Sequence, residues 1–417
     1  MSIKVTFKTV VPTEVLDIVS SGVKPFDGKR QYVDTSNVED NRIVGDLETI
    51  TYLNRKSRAN MEAEEGDVLF AKMAKTHKVI LVSSDLSKHV FSTGFFVLRA
   101  KKGVLLSKYL YYWLRFEGTE LLKDRFAHGE TQMALNSSLL ASKFKIPVPF
   151  STAKEQFDLN EQERIVESLD KIEAVSSHLH EQQIQSVNLL NAERENAFNI
   201  ESKYFVPLTK VVSTPPYRYP TFYGIPTVKN GTPVLKISNM TDNAKLPTDK
   251  TLYDCIPEEA SLQYPKTIVE ENDLVMEVRG TYIGKTAIVP KELAGSNISP
   301  NTIRISPNRE EIVPEYFWHY TFTSAWKNQV LRYSRFWKLG FGTIRSDRID
   351  KILVPKPLKS EQEHALRTLA VFDDISVRLT HSFALVEEAL QVQLASLFRE
   401  SLLACVFSAQ AKSLTEK

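Results

Sequence analysis

The chain has 417 residues, 42% of them hydrophobic, which is enough for two to four folded domains, and its 53 Lys+Arg nearly balance 51 Asp+Glu. Met1 to Val11 lack a basic stretch leading into an apolar run, and no apolar segment approaches the ~20 residues of a membrane span, so a soluble cytoplasmic protein is expected. Cys255 and Cys405 lie far apart in no metal-like spacing, which argues against a disulfide framework, a zinc site or any other bound metal.

The overall balance conceals a segmentation. Basic residues number 22 against 17 acidic in 1–150 and 20 against 15 in 204–357, but 5 against 11 in 151–203 and 6 against 8 in 358–417. Two basic blocks alternating with two acidic segments suit a polyanion binder with non-binding spacers.

In chain order, the first block carries a strand-like Tyr32-Val33 entering the polar turn Asp34 to Asn41. An acidic turn, Glu64-Glu65-Gly66-Asp67, then feeds an apolar strand, Val68-Leu69-Phe70. An aromatic helical segment, Tyr109 to Leu114, follows, and the block leaves through Lys145-Ile146-Pro147-Val148-Pro149, where proline forbids a continued helix. Asn160-Glu161-Gln162-Glu163 then has the form of a capping box, with Asn160 as N-cap. Behind it Leu169, Ile172, Ser176, Leu179, Gln183, Ser186, Leu190 and Ala197 form a seam at helical spacing.

The second block repeats this plan. Val234-Leu235-Lys236-Ile237-Ser238-Asn239 matches the first polar turn, and Glu270-Glu271-Asn272-Asp273-Leu274-Val275-Met276 matches the acidic turn and strand. Tyr316 to Tyr320 is the aromatic helix, and Lys351-Ile352-Leu353-Val354-Pro355 is the exit. Ser360-Glu361-Gln362-Glu363 repeats the capping box, and Leu369, Phe372, Ser376, Leu379, Phe383, Val386, Leu390 and Leu397 repeat the seam. With no proline or glycine in 160–200 or 360–405, each segment predicts one helix of roughly 40 residues, about 60 Å long. Such seams need a partner.

The reading is therefore two tandem, pseudo-twofold α/β (α+β) recognition domains separated by two long helices forming an antiparallel coiled coil. The domains run 1–150 and 204–357, and the helical spacers 151–203 and 358–417. Leu169, Ile172, Leu179, Leu190, Leu369, Phe372, Leu379, Phe383 and Leu390 are the expected spacer and partner-docking residues.

Catalytic motifs are weak. Arg279-Gly280-Thr281-Tyr282-Ile283-Gly284-Lys285-Thr286 has one residue too few between its glycines for a phosphate loop and reads as a glycine-permitted strand turn. Thr214-Pro215-Pro216-Tyr217 lacks the leading amide or carboxylate of an adenine methyltransferase motif, and no glycine-rich cofactor loop precedes it. No His-Glu-x-x-His or Gly-x-Ser-x-Gly occurs, and no catalytic residue is assigned.

Basic residues interleaved with aromatics and amides suit DNA, since cations fix phosphates while amides, guanidiniums and hydroxyls read base edges. In the first block these are Arg55, Lys56, Arg58, Lys72, Lys75, His77, Lys78, Thr131 and Gln132. In the second they are Arg279, Tyr282, Lys285, Arg335, Trp337, Lys338, Arg345 and Arg348. A self-contained methyltransferase or nuclease and a coiled-coil scaffold stand as rival readings.

The Pro-ending exits followed by Glu-Gln-Glu helices, at Pro149 to Glu163 and Pro355 to Glu363, together with the Gly-Asp-Val-Leu-Phe and Asn-Asp-Leu-Val-Met strands, carry a resemblance. The chain resembles the specificity subunit of Type I restriction-modification systems over nearly its whole length. The resemblance implies two target-recognition domains, each reading half of a split double-stranded DNA site, with the helices setting the gap. It also implies docking of two modification (methyltransferase) subunits and of restriction/translocase subunits. S-adenosylmethionine and ATP are then expected on those partners, with no cofactor on this chain. The family's base contacts vary, so the DNA-binding residues above rest on their chemistry alone.

Overall fold

In each half, the strand entered from the acidic turn is buried along its whole length: Val68–Ala71 in the first and Leu274–Glu277 in the second. The structure, a computed structural model, describes residues 6–129, 133–218, 225–241, 243–337 and 340–415, with side chains described up to 400 and not at 214–218. The chain divides into two units, 1–180 with 381–417, and 181–380.

In the first unit, Val68–Ala71 lies inside an antiparallel sheet ordered Leu16–Ile18, Phe95–Ala100, Val68–Ala71, Val79–Leu81. Successive side chains of a strand point to opposite faces, and here both faces are covered. Val68, Phe70, Phe96 and Leu98 join the cluster containing Tyr109, Leu110 and Trp113 of the helix Ser107–Arg115. Leu69, Ala71, Phe95 and Val97 pack with Val33, Val38, Met61 and Phe91 of the adjoining layer. That layer is a sheet ordered Glu48–Ile50, Arg30–Val33, Val90–Ser92, Ala59–Met61, in which Arg30–Val33 and Val90–Ser92 run parallel.

The second unit repeats the four-stranded central sheet over a three-stranded second layer. Its central sheet is ordered Val212–Arg218, Thr302–Pro307, Leu274–Glu277, Thr286–Ile288, and its second layer Cys255–Ile256, Thr232–Leu235, Asn297–Ile298, again with one parallel pair. The exit strands close each unit in the same way, Ile146–Ser151 on Phe7–Val10 and Leu353–Pro355 on Phe205–Pro207.

The acidic turns are built alike in detail. The third turn position is left-handed in both, Gly66 at φ 87° and Asn272 at φ 67°, and glycine and asparagine are the residues that tolerate this best. Asp67 accepts the Glu64 N–H at 2.8 Å and Asp273 the Glu270 N–H at 2.7 Å. Each nearly buried aspartate then meets an arginine of the neighbouring strand. Asp67 accepts from Arg99 Nε and Nη2 at 2.8 and 2.9 Å, and Asp273 accepts from Arg304 Nε at 2.6 Å.

The long helices are Leu159–Ala197, 39 residues, and Lys359–Thr415, 57 residues, so the second is longer than its pattern predicts. Both begin ahead of the expected caps. Asp158 is the first N-cap, accepting the Glu161 N–H at 3.1 Å. In the second helix Glu161's counterpart Glu361 reaches back to the Leu358 N–H at 2.8 Å, the reciprocal half of a capping box. Asn160 and Ser360 therefore lie inside the first turn. The glutamine of each Glu-Gln-Glu does something else: it is fully buried and clamps the chain entering the aromatic helix. Gln162 Oε1 accepts the Leu106 N–H at 2.9 Å and its Nε2 donates to the Val104 carbonyl at 3.0 Å. Gln362 likewise accepts the Val313 N–H at 2.8 Å and donates to the Glu311 carbonyl at 3.3 Å, and it also donates to the Pro357 carbonyl ahead of its own helix at 2.9 Å.

Within each unit, a stretch of one long helix runs antiparallel to a stretch of the other. In the first unit Leu169 clusters with Leu390 and Leu394, Ser176 donates to Glu387, and His180 packs on Phe383 at 5.5 Å. Fully buried Arg115 pairs with both Glu173 and Glu387, fastening the aromatic helix to the pair. In the second unit Gln183 donates to Thr380 at 3.1 Å, and Leu190, Phe198 and Leu369 share one core. The seam is thus filled by the chain's own side chains. Leu169, Leu190, Leu369 and Leu390 are buried, while Ile172, Leu179, Phe372, Leu379 and Phe383 are partly covered. Packed in this way, Leu169, Leu190, Leu369 and Leu390 hold the paired helices together within each unit.

Candidate nucleic-acid interface

The polar turn of each half is closed by an asparagine, Asn37 accepting the Asp34 N–H and Asn239 the Lys236 N–H, both at 2.9 Å. Around the first turn the structure gathers several of the predicted cations. Lys78 Nζ donates to the Thr35 carbonyl at 2.9 Å, Arg58 Nη2 lies 3.9 Å from Asp34, and the Lys72 N–H donates to the Gly94 carbonyl at 2.9 Å. Gly94 is small of necessity, since a Cβ there would come within 2.9 Å of Arg58 Nη2 and of Thr35.

The individual side chains differ. Lys56, Arg58 and Lys75 reach solvent, Lys56 paired with Glu48 at 2.6 Å. Arg55 bends back to the Tyr52 carbonyl at 2.6 Å and stacks 4.1 Å over its ring. The Lys72 ammonium sits 4.9 Å over Phe96, and burial lowers its pKa. His77 is turned inward, donating from Nε2 to the Leu114 carbonyl at 2.8 Å with Glu120 at 3.4 Å, and burial depresses its pKa. His77 is therefore withdrawn from the DNA-facing set, because its Nε2 is held by the Leu114 carbonyl and its Nδ1 faces Glu120, leaving neither nitrogen turned to a phosphate.

In the second half, the glycines of the loop 279–285 have a steric cause. Gly280 has φ 153°, and a Cβ there would fall 1.7 Å from Glu277 Oε1. The chain turns back so that the Gly284 N–H donates to the Glu277 carbonyl at 2.9 Å, lifting Arg279 and Tyr282 into solvent. Lys285 Nζ stands 6.0 Å from the Tyr282 ring. Beneath the turn, Glu277 is buried, and burial raises its pKa to about 7, opposed by the Tyr282 N–H and Lys285.

A hairpin lies against this turn. Arg335–Phe336 pairs with Gly342–Thr343, which pairs with Arg279–Gly280, placing Arg335, Thr343 and Arg279 in one row and Phe336, Gly342 and Gly280 in the next. The Trp337 N–H donates to the Phe341 carbonyl at 2.8 Å, extending the hairpin by one further pair. Strand alternation puts Trp337 and Phe341 on the face that carries Arg335 and Arg279. On the other face Phe336 and Ile283 close over Gly342, where a Cβ would meet them at 2.7 and 2.8 Å. Arg345 and Arg348 stay exposed beside Asp347, at 3.0 and 4.0 Å.

The first half carries a smaller version of the same device. Ala134 bridges both His128 and Met73, the latter at the exit of the central strand, just as Gly342–Thr343 bridges Arg335–Phe336 and Arg279–Gly280. Sequence reading missed this pairing, since bridges of one or two residues leave no periodic signal. Thr131, Gln132 and Lys338, also expected to touch DNA, lie outside the described residues.

The model of the Type I restriction modification DNA specificity domain matches residues 8–189 and again 220–384, one match over each hairpin-bearing half. The chain belongs to this family. The specificity domain thus occurs twice, in agreement with the duplicated topology. The specificity subunit of the Type I restriction enzyme EcoR124I/EcoR124II of Escherichia coli is 24% identical over 292 residues, 66% of this chain and 65% of that protein. The match therefore spans just under two thirds of that relative's length. Among solved structures, a chain from a study of complex assembly and conformational transition in the type I R-M system is 20% identical, with TM-score 0.49 over 95% of this chain and 99% of that one. The HsdS subunit of Thermoanaerobacter tengcongensis is 20% identical, with TM-score 0.39 over 95% and 98%. The S subunit of M. genitalium is 13% identical, with TM-score 0.45 over 94% and 96%.

Exposed apolar side chains remain on the long helices of these specificity domains. They are Val175, Leu385 and Val392 in the first unit, and Ile184, Leu189, Val371, Ile375 and Val377 in the second. Among the described residues, no helix is long and apolar enough to cross a membrane and no cluster of potential metal ligands occurs.

Proposed function

We propose that this chain is the non-catalytic specificity subunit of a Type I restriction-modification complex acting in the cytoplasm, binding a split double-stranded DNA target through blocks 1–150 and 204–357. The observation that carries this reading is the repeated device at the end of each central strand: a turn and a short hairpin that present cations to solvent, in a chain where the specificity domain occurs twice. A two-stranded ribbon fits the major groove, where each base pair shows a distinct pattern of donors and acceptors. Lys56, Arg58 and Lys75 in the first block, and Arg279, Tyr282, Lys285, Arg335, Arg345 and Arg348 in the second, are the DNA contacts of this reading.

Segments 151–203 and 358–417 space the two readers. Their exposed apolar faces, rather than the buried seam, dock two methyltransferase subunits and the restriction subunits. S-adenosylmethionine and ATP then bind to those partners and not to this chain.

The test is methylome sequencing of a host carrying this chain with its methyltransferase, against the same host with residues 204–357 deleted. A split adenine-methylated motif that changes in one half on deletion supports the reading. Methylation that is identical in both hosts under confirmed expression overturns it.

A further inference from the structure

The second block's hairpin carries exposed apolar area that a purely phosphate-binding surface has no use for. Trp337 is 55% and Phe341 43% exposed, and they face each other across the hairpin. Their face is shared with Arg335 and Arg279, both exposed, and Tyr282 stands 66% exposed on the neighbouring turn. Two large rings held in water cost free energy unless something apolar covers them. The flanking guanidiniums restrict what that can be, because the surface must dock against negative charge.

Duplex DNA meets both conditions at one kind of place. Its phosphates suit Arg279 and Arg335, and among the base-edge groups in the major groove the thymine 5-methyl is the apolar one. We propose that Trp337 and Phe341 are specificity-determining residues of the second block that read a thymine through contact with its 5-methyl group, while Arg335 and Arg279 hold the flanking phosphates. This rests on the DNA-recognition reading above and adds to it the chemistry by which one half-site is read.

The hairpin is anchored at its base. Phe336, itself 49% exposed, and Ile283 lie over the bare Cα of Gly342 on the opposite side, while Thr343 Oγ1, on the Phe341 face, donates to the Val278 carbonyl at 3.0 Å and ties the hairpin to the central strand. The first block offers Met133, 51% exposed, and the exposed His128 beside its smaller bridge.

The experiment uses the full chain assembled with its methyltransferase. Equilibrium binding is measured on the split target and on duplexes in which each thymine of the second half-site is replaced in turn by uracil, which removes only the methyl. For the wild type, one replacement is expected to weaken binding about 5-fold, roughly the worth of one buried methyl group. Trp337→Ala and Phe341→Ala are expected to weaken binding to the natural target by at least as much, to become indifferent to that uracil, and to keep the wild-type slope of affinity against salt, since no phosphate contact is lost.

Several outcomes overturn the inference: a second half-site without thymine, wild-type binding indifferent to every uracil, or variants that remain as sensitive to uracil as the wild type. Loss of affinity in the variants without any uracil effect points instead to rings wedged between bases, and a variant that no longer assembles points to a protein contact. Either contradicts methyl reading. If the wild-type complex fails to retain any split target, the DNA-recognition reading itself falls, and this inference with it.

Discussion

Arg42 Nη2 lies 3.8 Å from Glu173 Oε1, joining the turn of the outer layer to the first long helix, and at the equivalent place of the second unit Lys245 meets Asp373 at 2.7 Å. The two struts share a position and a sign but not a strength. Arg42 also donates to Ser176 at 3.0 Å and lies 5.4 Å from the Phe383 ring, whereas Lys245 is 40% exposed with a single carboxylate. Arg42→Ala is expected to cost about 1–2 kcal/mol, and Lys245→Ala less than about 1 kcal/mol, because screening by water leaves exposed pairs little net value. Denaturant titration of the two variants checks the order.

Gln162 and Gln362 each satisfy a backbone N–H and a carbonyl in the interior. Gln162→Leu or Gln362→Leu leaves both groups unpaired and is expected to destabilise its own unit by about 2–4 kcal/mol, the cost of burying two orphaned polar groups. Asn160→Ala and Ser360→Ala, at the positions where the sequence pattern put the caps, should each cost less than about 0.5 kcal/mol. Chemical unfolding of the four variants separates the two roles.

The spine is tested at Leu390, fully buried in the first unit's core. Leu390→Ala is expected to cost about 2–5 kcal/mol through lost burial and the cavity left behind, while Val392→Ala, 64% exposed on the same helix, leaves stability within about 0.5 kcal/mol. If the exposed face docks the methyltransferase, Val392→Asp weakens that association while the isolated subunit keeps its thermal midpoint. Co-purification against thermal melting distinguishes the two effects.

Glu277 supplies a pH dependence. Burial raises its folded-state pKa to about 7 from an ordinary 4.5, so the folded protein holds this proton more tightly than the unfolded chain. The contribution to stability is fully present below about pH 4.5, is lost progressively as pH rises, and is gone above about pH 7. Glu277→Gln, which stays neutral, should therefore gain thermal stability relative to wild type at pH 8 and show no gain at pH 4.5. Melting curves across that range provide the check.

Arg345 is exposed and shares Asp347 with Arg348. Arg345→Glu is expected to weaken DNA binding by the assembled complex without affecting assembly. The neutral Arg345→Gln should lower the magnitude of the salt slope by about one. Binding isotherms at several salt concentrations, read beside gel filtration of the complex, test both statements.

Much of this protein was legible in one dimension. The duplication, the two long helices and the buried central strands follow from patterns that local chemistry enforces. A continuous run such as Val68-Leu69-Phe70 needs cover on both faces, a proline-ended exit stops a helix, and an uninterrupted seam at helical spacing makes one. The Glu-Gln-Glu repeat marks a capped helix start, but the cap lies two residues earlier than its pattern suggests and the glutamine clamps a neighbouring loop, which becomes visible only once that loop is in place. Likewise the seam from Leu169 to Leu390 announced that something must cover it, and the duplication pointed to the chain's own second helix, running antiparallel.

Tertiary structure alone decided which cations face water. Lys56 and His77 are equally plausible DNA contacts in sequence, yet one is exposed and the other is turned onto the Leu114 carbonyl. The sharing of one face by Trp337, Phe341, Arg335 and Arg279 was equally hidden, since it depends on the register of three very short strands from two distant segments. Helix and strand patterns are written by neighbours along the chain, whereas the exposure of a loop side chain is set by whatever distant backbone packs behind it.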